Sequence, residues 1–497
     1  MKVIEVNNVT KLVRKDFQQI TVLKNINLTI NSGDLVWLNG ESGAGKTTLL
    51  SLICGLISPS SGEIKLMGLP PKDANAKLRV GVVFQETQVP KNTKVKELIE
   101  LFRSYSPNPL SISTEEILAR ANLTKAGIIN ADASSLAGGE KQRLYFALAL
   151  IVNPKLLILD EPTNHLDEES RKVFWEQLKL CHEKGIAILM TTQIPDDRKK
   201  LNELATHIIT LHEISKAPEE GQLIQEQILT DTDTISESAA NMNKEISNKI
   251  LSRNILGIFT KQLCFEIIQL LRTPTFLLAV LSFVGFVPLF KMEAQFQGEA
   301  AIEPLVYLCG IILFTVVIER LGKRVAVERS EGWLKLLQTT SLPPMIYISA
   351  KISSLLIVCI LAVLSIFILG HSQLGIQVSL GLWFSTFLTL IIGIIPFAIM
   401  GLELGYLLNP KSADSILSLS LFVLPFAAGA VPAPIKPELM QDLVSLSPFY
   451  HYKELVFQSA SLNNDGQILL HLLWLVWAFG VFGLSSIWIY KRDRTVR

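Results

Sequence analysis

Charge imbalance is missing from this chain. Its 46 Lys and Arg residues stand against 45 Asp and Glu, a net charge of +1 over 497 residues. That balance points to no nucleic-acid partner, which would need a basic face against phosphate. Cysteine is scarce too. Cys54, Cys181, Cys264, Cys309 and Cys359 fall at spacings that suit neither a metal site nor a disulfide framework. The last three lie in apolar or amphipathic stretches and read as small buried hydrophobes. The first residues, MKVIEVNNVTKL, lack the apolar core of a signal peptide. The most telling scarcity is local: residues 1–255 carry 61 charged side chains and residues 256–497 only 30, lodged between long apolar runs. A soluble part followed by a membrane part has that pattern, in a chain long enough for about two to four domains.

What is present begins at residues 40–47: Gly40, Glu41, Ser42, Gly43, Ala44, Gly45, Lys46 and Thr47. They fit G-x-x-x-x-G-K-[ST], a loop whose backbone N–H groups line a phosphate-binding concavity. Lys46 suits the β/γ-phosphates of ATP and the Thr47 hydroxyl suits Mg²⁺. The apolar run 36–39 predicts a buried strand before the loop. Residues 48–56, from Thr48 on, predict a helix whose N-terminus faces the phosphates. About 100 residues later, 156–159 predicts a second buried strand, ending in Asp160 and Glu161. An aspartate at that position is a second Mg²⁺ ligand, and the adjacent Glu161 is placed to polarise an attacking water.

Between these motifs stand Leu136, Ala137, Gly138, Gly139, Glu140, Lys141, Gln142 and Arg143. This stretch resembles the LSGGQ/E signature of ATP-binding cassette (ABC) proteins, and residues 1–215 resemble an ABC ATPase throughout. The resemblance implies an α/β P-loop fold and further site residues. Phe17 would stack on adenine. Gln85 would touch Mg²⁺ and report to a membrane domain. Asp167 would lie in the loop that crosses to a second cassette. It also implies that the signature of one cassette completes the nucleotide site of another, so two cassettes work together. Two positions depart from the family pattern. Ala137 replaces the signature serine, removing a hydroxyl for the γ-phosphate. Gln193 stands where the family has its switch histidine, and an amide hydrogen-bonds phosphate but cannot hold a proton as imidazole does. Both point to slower or altered hydrolysis.

Residues 216–249 are polar and poor in aromatics and read as a linker, with room for a short strand at its start. Residues 250–272 read as an amphipathic helix at the membrane surface. Its apolar stripe is Ile255, Phe259, Leu263, Ile267 and Leu271, interrupted by Lys261, Glu266 and Arg272. Residues 273–497 read as an all-α domain with six spans, at 275–290, 304–318, 352–370, 378–408, 415–431 and 467–490. The fourth contains Gly393 and Pro396, which predict a kink. Arg320, Lys323, Arg324, Arg329, Lys335 and Lys351 gather between spans two and three, and basic residues close the chain. By the positive-inside rule both termini are cytoplasmic, in a plasma (inner) membrane. Glu403 reads as snorkelling to the interface, and His371 and His471 as solvated.

Residues 325–337, containing Glu328, Arg329, Gly332 and Leu334, resemble the coupling segment of type-2 ABC exporter permeases. Residues 445–452 resemble that family's partly re-entrant outer segment. Together the resemblances imply a half-transporter with six spans. It would export a hydrophobic compound, a lipid or a lipid-linked glycan, working as a homodimer, with a heterodimer as the alternative. A haem-exporter-like permease shares the coupling motif. A non-transporting regulator of a partner protein is the rival function.

Overall fold

Short apolar runs ended by polar or glycine-bearing turns make the central strands, as expected where both faces of a parallel sheet are covered. In the computed structural model these are part of a two-unit chain. One unit comprises Met1–Phe265, Glu331–Tyr347 and Arg494–Arg497, and the other Glu266–Ser330 and Ile348–Asp493. The structure describes residues 1–15, 18–85, 87–212, 223–227, 255–273, 285, 287, 298–427, 444–463 and 466–496.

In the first unit the order is β1 (Lys2–Lys15), β2 (Gln18–Asn31), β3 (Leu35–Asn39), α1 (Lys46–Ile53), β4 (Ser61–Leu66), β5 (Val80–Val83), α2 (Val95–Tyr105), α3 (Thr114–Arg120) and α4 (Gly138–Ile151). Then come β6 (Leu156–Asp160), α5 (Glu168–Glu183), β7 (Ala187–Thr191), α6 (Pro195–Leu204), β8 (His207–Leu211) and β9 (Leu223–Gln227). Strands β2, β1 and β4 form an antiparallel sheet. The second sheet has the order β5-β6-β7-β3-β8-β9, parallel except for β9, which runs antiparallel to β8. A hydrophobic core joins the sheets, with Val6, Leu28, Leu38, Leu49, Ile158 and Leu189 among its buried members. Strand β9 lies within the polar stretch after residue 215, so the sheet continues there.

Helix α1 is shorter than the 48–56 expectation at its C-terminal end. It closes at Ile53, ahead of Gly55, whose φ is +69° and where a Cβ would stand 2.3 Å from the Pro71 carbonyl oxygen. Only glycine fits that left-handed turn.

Among the described residues the further α-helices are α7 (Ile255–Leu271), α8 (Ile302–Phe314), α9 (Leu321–Ser330), α10 (Trp333–Gln338), α11 (Pro344–Leu374), α12 (Leu380–Gly393), α13 (Ile395–Leu407), α14 (Pro410–Ala427), α15 (Pro448–Ser459) and α16 (Ile468–Val496). Between α8 and α9 the residues Thr315–Arg320 wind as a π-helix. Among the described residues, four helical stretches are long and apolar enough to cross a membrane: Gly298–Ser330, Pro344–Leu374, Leu380–Leu407 and Ile468–Ser486. The sequence pattern predicts six. Nearly all of the run 275–290 and the end of the run 415–431 lie outside the described residues.

The expected kink is a break at Ile394 between α12 and α13, with Pro396 in the first turn of α13. A Cβ on Gly393 would sit 2.5 Å from the ring of Tyr452, whose hydroxyl donates to the Leu390 carbonyl at 2.9 Å. The glycine is there because an aromatic ring occupies its side-chain space.

Three side-chain expectations are corrected. His471 is buried rather than solvated: its Nδ1 lies 2.7 Å from His451 Nδ1, and His451 stacks on Trp474. Cys264 is exposed rather than buried. Of the three charged residues expected to interrupt the apolar stripe, Glu266 belongs to the buried face of α7, while Lys261 is exposed and Arg272 half-buried. Gln262, Glu266 and Gln269 are buried with Ile258 and Phe265, whereas Ile255 and Leu271 of the expected stripe are exposed. The cause is pairing. Lys351 Nζ and Arg324 Nη2 lie 3.2 and 2.6 Å from Glu266 Oε2, and the same two side chains meet Glu328 Oε1 at 2.7 and 3.0 Å. Lys323 is likewise bound to Glu319 and Asp414, at 2.7 and 2.8 Å. Lys323, Arg324 and Lys351 of the 320–351 cluster are therefore engaged by carboxylates.

Candidate nucleotide site

The sheet order does the assembling. Strands β6, β7 and β3 are parallel neighbours, so the segments that follow them emerge side by side at the carboxyl edge of the sheet, where α/β folds bind ligands. After β3 comes the 40–47 loop, with Gly40, Gly43 and Gly45 at positive φ. A Cβ on Gly40 would stand 2.4 Å from the Leu211 carbonyl oxygen, and one on Gly45 would stand 2.8 Å from Leu23 Cδ2. These two glycines are required by close approach as well as by conformation.

Lys46 opens α1 and is buried, donating from Nζ to the Gly40 and Glu41 carbonyls, both at 2.8 Å. Burial pulls its pKa down from the ordinary lysine value, while Glu161 and Asp160 hold its charge against that effect. After β6, Glu161 takes a left-handed backbone with φ of 51°. A non-glycine residue there is strained unless its surroundings hold it. Its N–H donates to Thr191 Oγ1 at 3.1 Å, and Thr191 Oγ1 in turn donates to Asp160 Oδ1 at 2.7 Å. The Glu161 carboxylate accepts from the Gln193 N–H at 3.1 Å. Burial raises the Glu161 pKa above the usual carboxylate value, and the Gln193 N–H works against that rise. A desolvated carboxylate of this kind is a better proton acceptor than an exposed one.

Asp160, Glu161 and Gln193 thus form one hydrogen-bonded group, and Lys46 lies within electrostatic reach of its two carboxylates. Thr47 follows Lys46 on α1 and is exposed. Two residues that sequence reasoning missed belong to the group: Thr191, the hinge between the carboxylates, and Arg198, which donates from Nη2 to Gln193 Oε1 at 2.6 Å. A serine or threonine near the end of an apolar strand gives no signal of its own. Arg198 is signalled only by standing five residues after Gln193, near the start of α6.

The signature lies elsewhere in the unit. Ala137 precedes α4 and offers no side-chain oxygen, and the Glu140 carboxylate accepts from the Ala137 N–H at 3.0 Å. The nearest atoms to a Cβ on Gly138 or Gly139 belong to His165 and Leu166. Asp167 caps α5 by accepting from the Ser170 N–H at 2.8 Å. Gln85 is exposed in the bend after β5. Phe17 lies outside the described residues.

Within the same unit, residues 331–341 rest on the segment around Gln85. Gln88 N–H donates to the Glu331 carbonyl at 2.8 Å, and Lys335 Nζ lies 4.1 Å from the centre of the Phe84 ring. Trp333 is fully buried against Phe102 and Phe265, with ring centres 6.3 and 6.1 Å away. Ser341 Oγ donates to the Tyr105 carbonyl, and Tyr105 donates its hydroxyl proton to Gln262 Oε1, each at 2.6 Å.

Residues 23–164 match the family model described as ABC transporter. Curated relatives include a Nod factor export ATP-binding protein I of Rhizobium meliloti (strain 1021), 37% identical over 223 residues, covering 44% of this chain and 65% of that protein. A protein of the same name from Cupriavidus pinatubonensis is 35% identical over 192 residues, 38% of this chain and 59% of that one. A putative ABC transporter ATP-binding protein of Methanosarcina mazei is 39% identical over 178 residues, 35% of this chain and 62% of that one. The chain therefore spans less than two thirds of the length of these relatives. Among solved structures, the dimeric post-hydrolysis state of an ATP-binding cassette bound to ADP and Pi is 26% identical. It covers 46% of this chain and 99% of that one, with a TM-score of 0.39. The N-terminal part of the chain is an ABC transporter ATPase domain.

Proposed function

We propose that this chain is an ABC half-transporter, an ATP-driven exporter embedded in the plasma (inner) membrane. Residues 1–215 would be its ATP-binding domain and 216–249 a linker. Residues 250–272 would be an interfacial helix and 273–497 a six-span, type-2-like permease. The observation that carries this reading is the hydrogen-bonded set of Asp160, Glu161 and Gln193 within electrostatic reach of Lys46, in a chain whose described residues also include four span-length apolar helices.

ATP would lie with its β- and γ-phosphates against the loop N–H groups and Lys46, with Phe17 as the adenine platform. Glu41, Ser42, Gly43, Ala44 and Thr48 complete the cradle. The chain's hard oxygen donors, the Thr47 hydroxyl and the carboxylate of Asp160 together with the amide oxygen of Gln85, suit Mg²⁺. When bound, Mg²⁺ supplies charge neutralisation to the phosphates. Glu161 accepts a proton from water as the water oxygen attacks the γ-phosphorus and ADP leaves. Gln193 donates to the γ-phosphate. Ala137, Gly138, Gly139 and Glu140 of a second copy would close over it, with Asp167 crossing between copies. Because the closed pair of cassettes binds ATP better than the open pair, ATP drives closure and hydrolysis resets it. Residues 331–341 would carry that motion to the membrane helices.

Glu161→Gln keeps the fold of the site but removes the proton acceptor. The expected result is undiminished ATP binding, hydrolysis close to background and a nucleotide-dependent dimer, read by crosslinking cysteines placed beside Asp167 in two copies. Monomer under saturating ATP would end the homodimer reading, and activity regained only on adding a related chain would replace it with the heterodimer. Orientation has its own test. A cysteine introduced at Ser372 should label from outside intact cells and one at Ser330 should be protected. The reverse would place the termini outside. A regulator that moves no substrate is the second reading, favoured by Ala137 and Gln193. ATPase stimulated by a translocated compound in vesicles would exclude it.

A further inference from the structure

Gln193 replaces a histidine by resemblance, and the structure shows what accompanies it. An amide side chain has two unlike ends, an oxygen that accepts and an NH2 that donates. A guanidinium only donates. With Arg198 Nη2 at 2.6 Å, the atom of Gln193 that faces Arg198 must be Oε1, so Nε2 and its two N–H groups face the other way. The chemistry of the partner fixes an orientation that an isolated glutamine would leave free.

Arg198 is itself held. Pro195 starts α6, and the Arg198 N–H donates to the Ile194 carbonyl at 3.0 Å. Its neighbour Asp197 is fully buried and accepts from Trp175 Nε1 at 2.8 Å and from the hydroxyl of Thr163, two residues beyond Glu161. The first turn of α6 is thereby clamped to the segment that carries Glu161. Gln193 is clamped at its backbone, through its N–H to the Glu161 carboxylate, and at its side chain, through Arg198.

We propose that Arg198 is a positioning residue for hydrolysis: it locks the Gln193 amide so that Nε2 is presented as a fixed hydrogen-bond donor to the γ-phosphate of ATP. The inference rests on the reading of this site as an ATPase. Arg198 also lies close enough to Lys46 and Glu161 to act on both electrostatically, disfavouring the charge of the first and favouring that of the second. It follows that residues 193 and 198 are matched. Beside a permanent cation a histidine at 193 would be held back from taking up a proton, and once protonated it could accept no hydrogen bond from Arg198.

The test uses the full chain in lipid vesicles with MgATP, reading kcat and KM for hydrolysis. Arg198→Ala is expected to lower kcat about tenfold, the effect of one charge-assisted hydrogen bond lost from the transition state, with KM changed by less than about twofold. Arg198→Lys, also a donor-only cation, should recover part of that loss. Gln193→Glu keeps a partner for Arg198 yet has no donor for phosphate, so its kcat should fall at least as far as that of Arg198→Ala. A role confined to stability would leave Gln193→Glu near wild type. Gln193→His alone should not raise kcat, and it should perform better when combined with Arg198→Ala. Wild-type kcat in either Arg198→Ala or Gln193→Glu overturns the inference. So does a loss in Arg198→Ala that tracks a lowered thermal midpoint and is not recovered by lysine. Hydrolysis that survives Lys46→Ala removes the underlying reading, and the inference with it.

Discussion

Replacing Lys46 by alanine should lower ATP hydrolysis by the purified chain by at least about a hundredfold, the scale on which loss of one preorganised charge or donor acts in an active site. The argument is local. Lys46 is a buried cation, its ammonium held by two loop carbonyls at 2.8 Å, with Asp160 and Glu161 stabilising its charge. Removing it leaves two neighbouring carboxylates and a triphosphate with less counter-charge, and the cost rises as negative charge builds in the transition state. Alanine is a good helix former at the start of α1, so the fold should survive. Phosphate release measured at saturating MgATP checks the prediction. Turnover within threefold of wild type would remove this loop from the chemistry.

The second large effect is on stability, at Lys351. This side chain is fully buried and lies 2.7 Å from Glu328 and 3.2 Å from Glu266, with Arg324 completing a set of two cations and two carboxylates. Lys351→Met removes one charge and leaves two buried carboxylates with Arg324. Breaking a buried pair in this way costs about 3–5 kcal/mol, mostly as the penalty of the charge left behind. Yield and thermal midpoint in detergent should both drop sharply. Adding Glu328→Gln should restore most of the loss, because it removes the orphaned charge. A single variant as stable as wild type would mean that water reaches the cluster.

Some of this was legible in the residues alone. The phosphate loop and the two carboxylates declare themselves because their chemistry demands fixed residue types at fixed spacings. Their strands were legible because parallel strands covered on both faces are continuous apolar runs. The strand order was not, since β6, β7 and β3 become neighbours through pairings far apart in sequence. The buried face of α7 was misread because polarity predicts exposure only when a charge has no partner, and the partners of Glu266 lie 58 and 85 positions away. His471 was misread for the same reason, its partner being His451. Gly393 was legible as a weak point but not as the seat of the Tyr452 ring. The role of Arg198 depends on a side-chain contact, which no motif encodes.

The π-helical turn at Thr315–Arg320 has a consequence for alignment along its helix. A π turn takes up about one residue more than an α turn over the same stretch. Everything after it is therefore out of phase with everything before it, by roughly the 100° that one residue spans in an α-helix. Lys323, Arg324 and Glu328 owe their present directions to that offset. In a helix with one residue deleted here and the ladder restored, the upstream segment would keep its neighbours. The whole downstream charge pattern would rotate away from Glu266, Lys351 and Asp414. The turn is a phase shifter: it lets one continuous rod present an apolar face set by one register and an ionic face set by another.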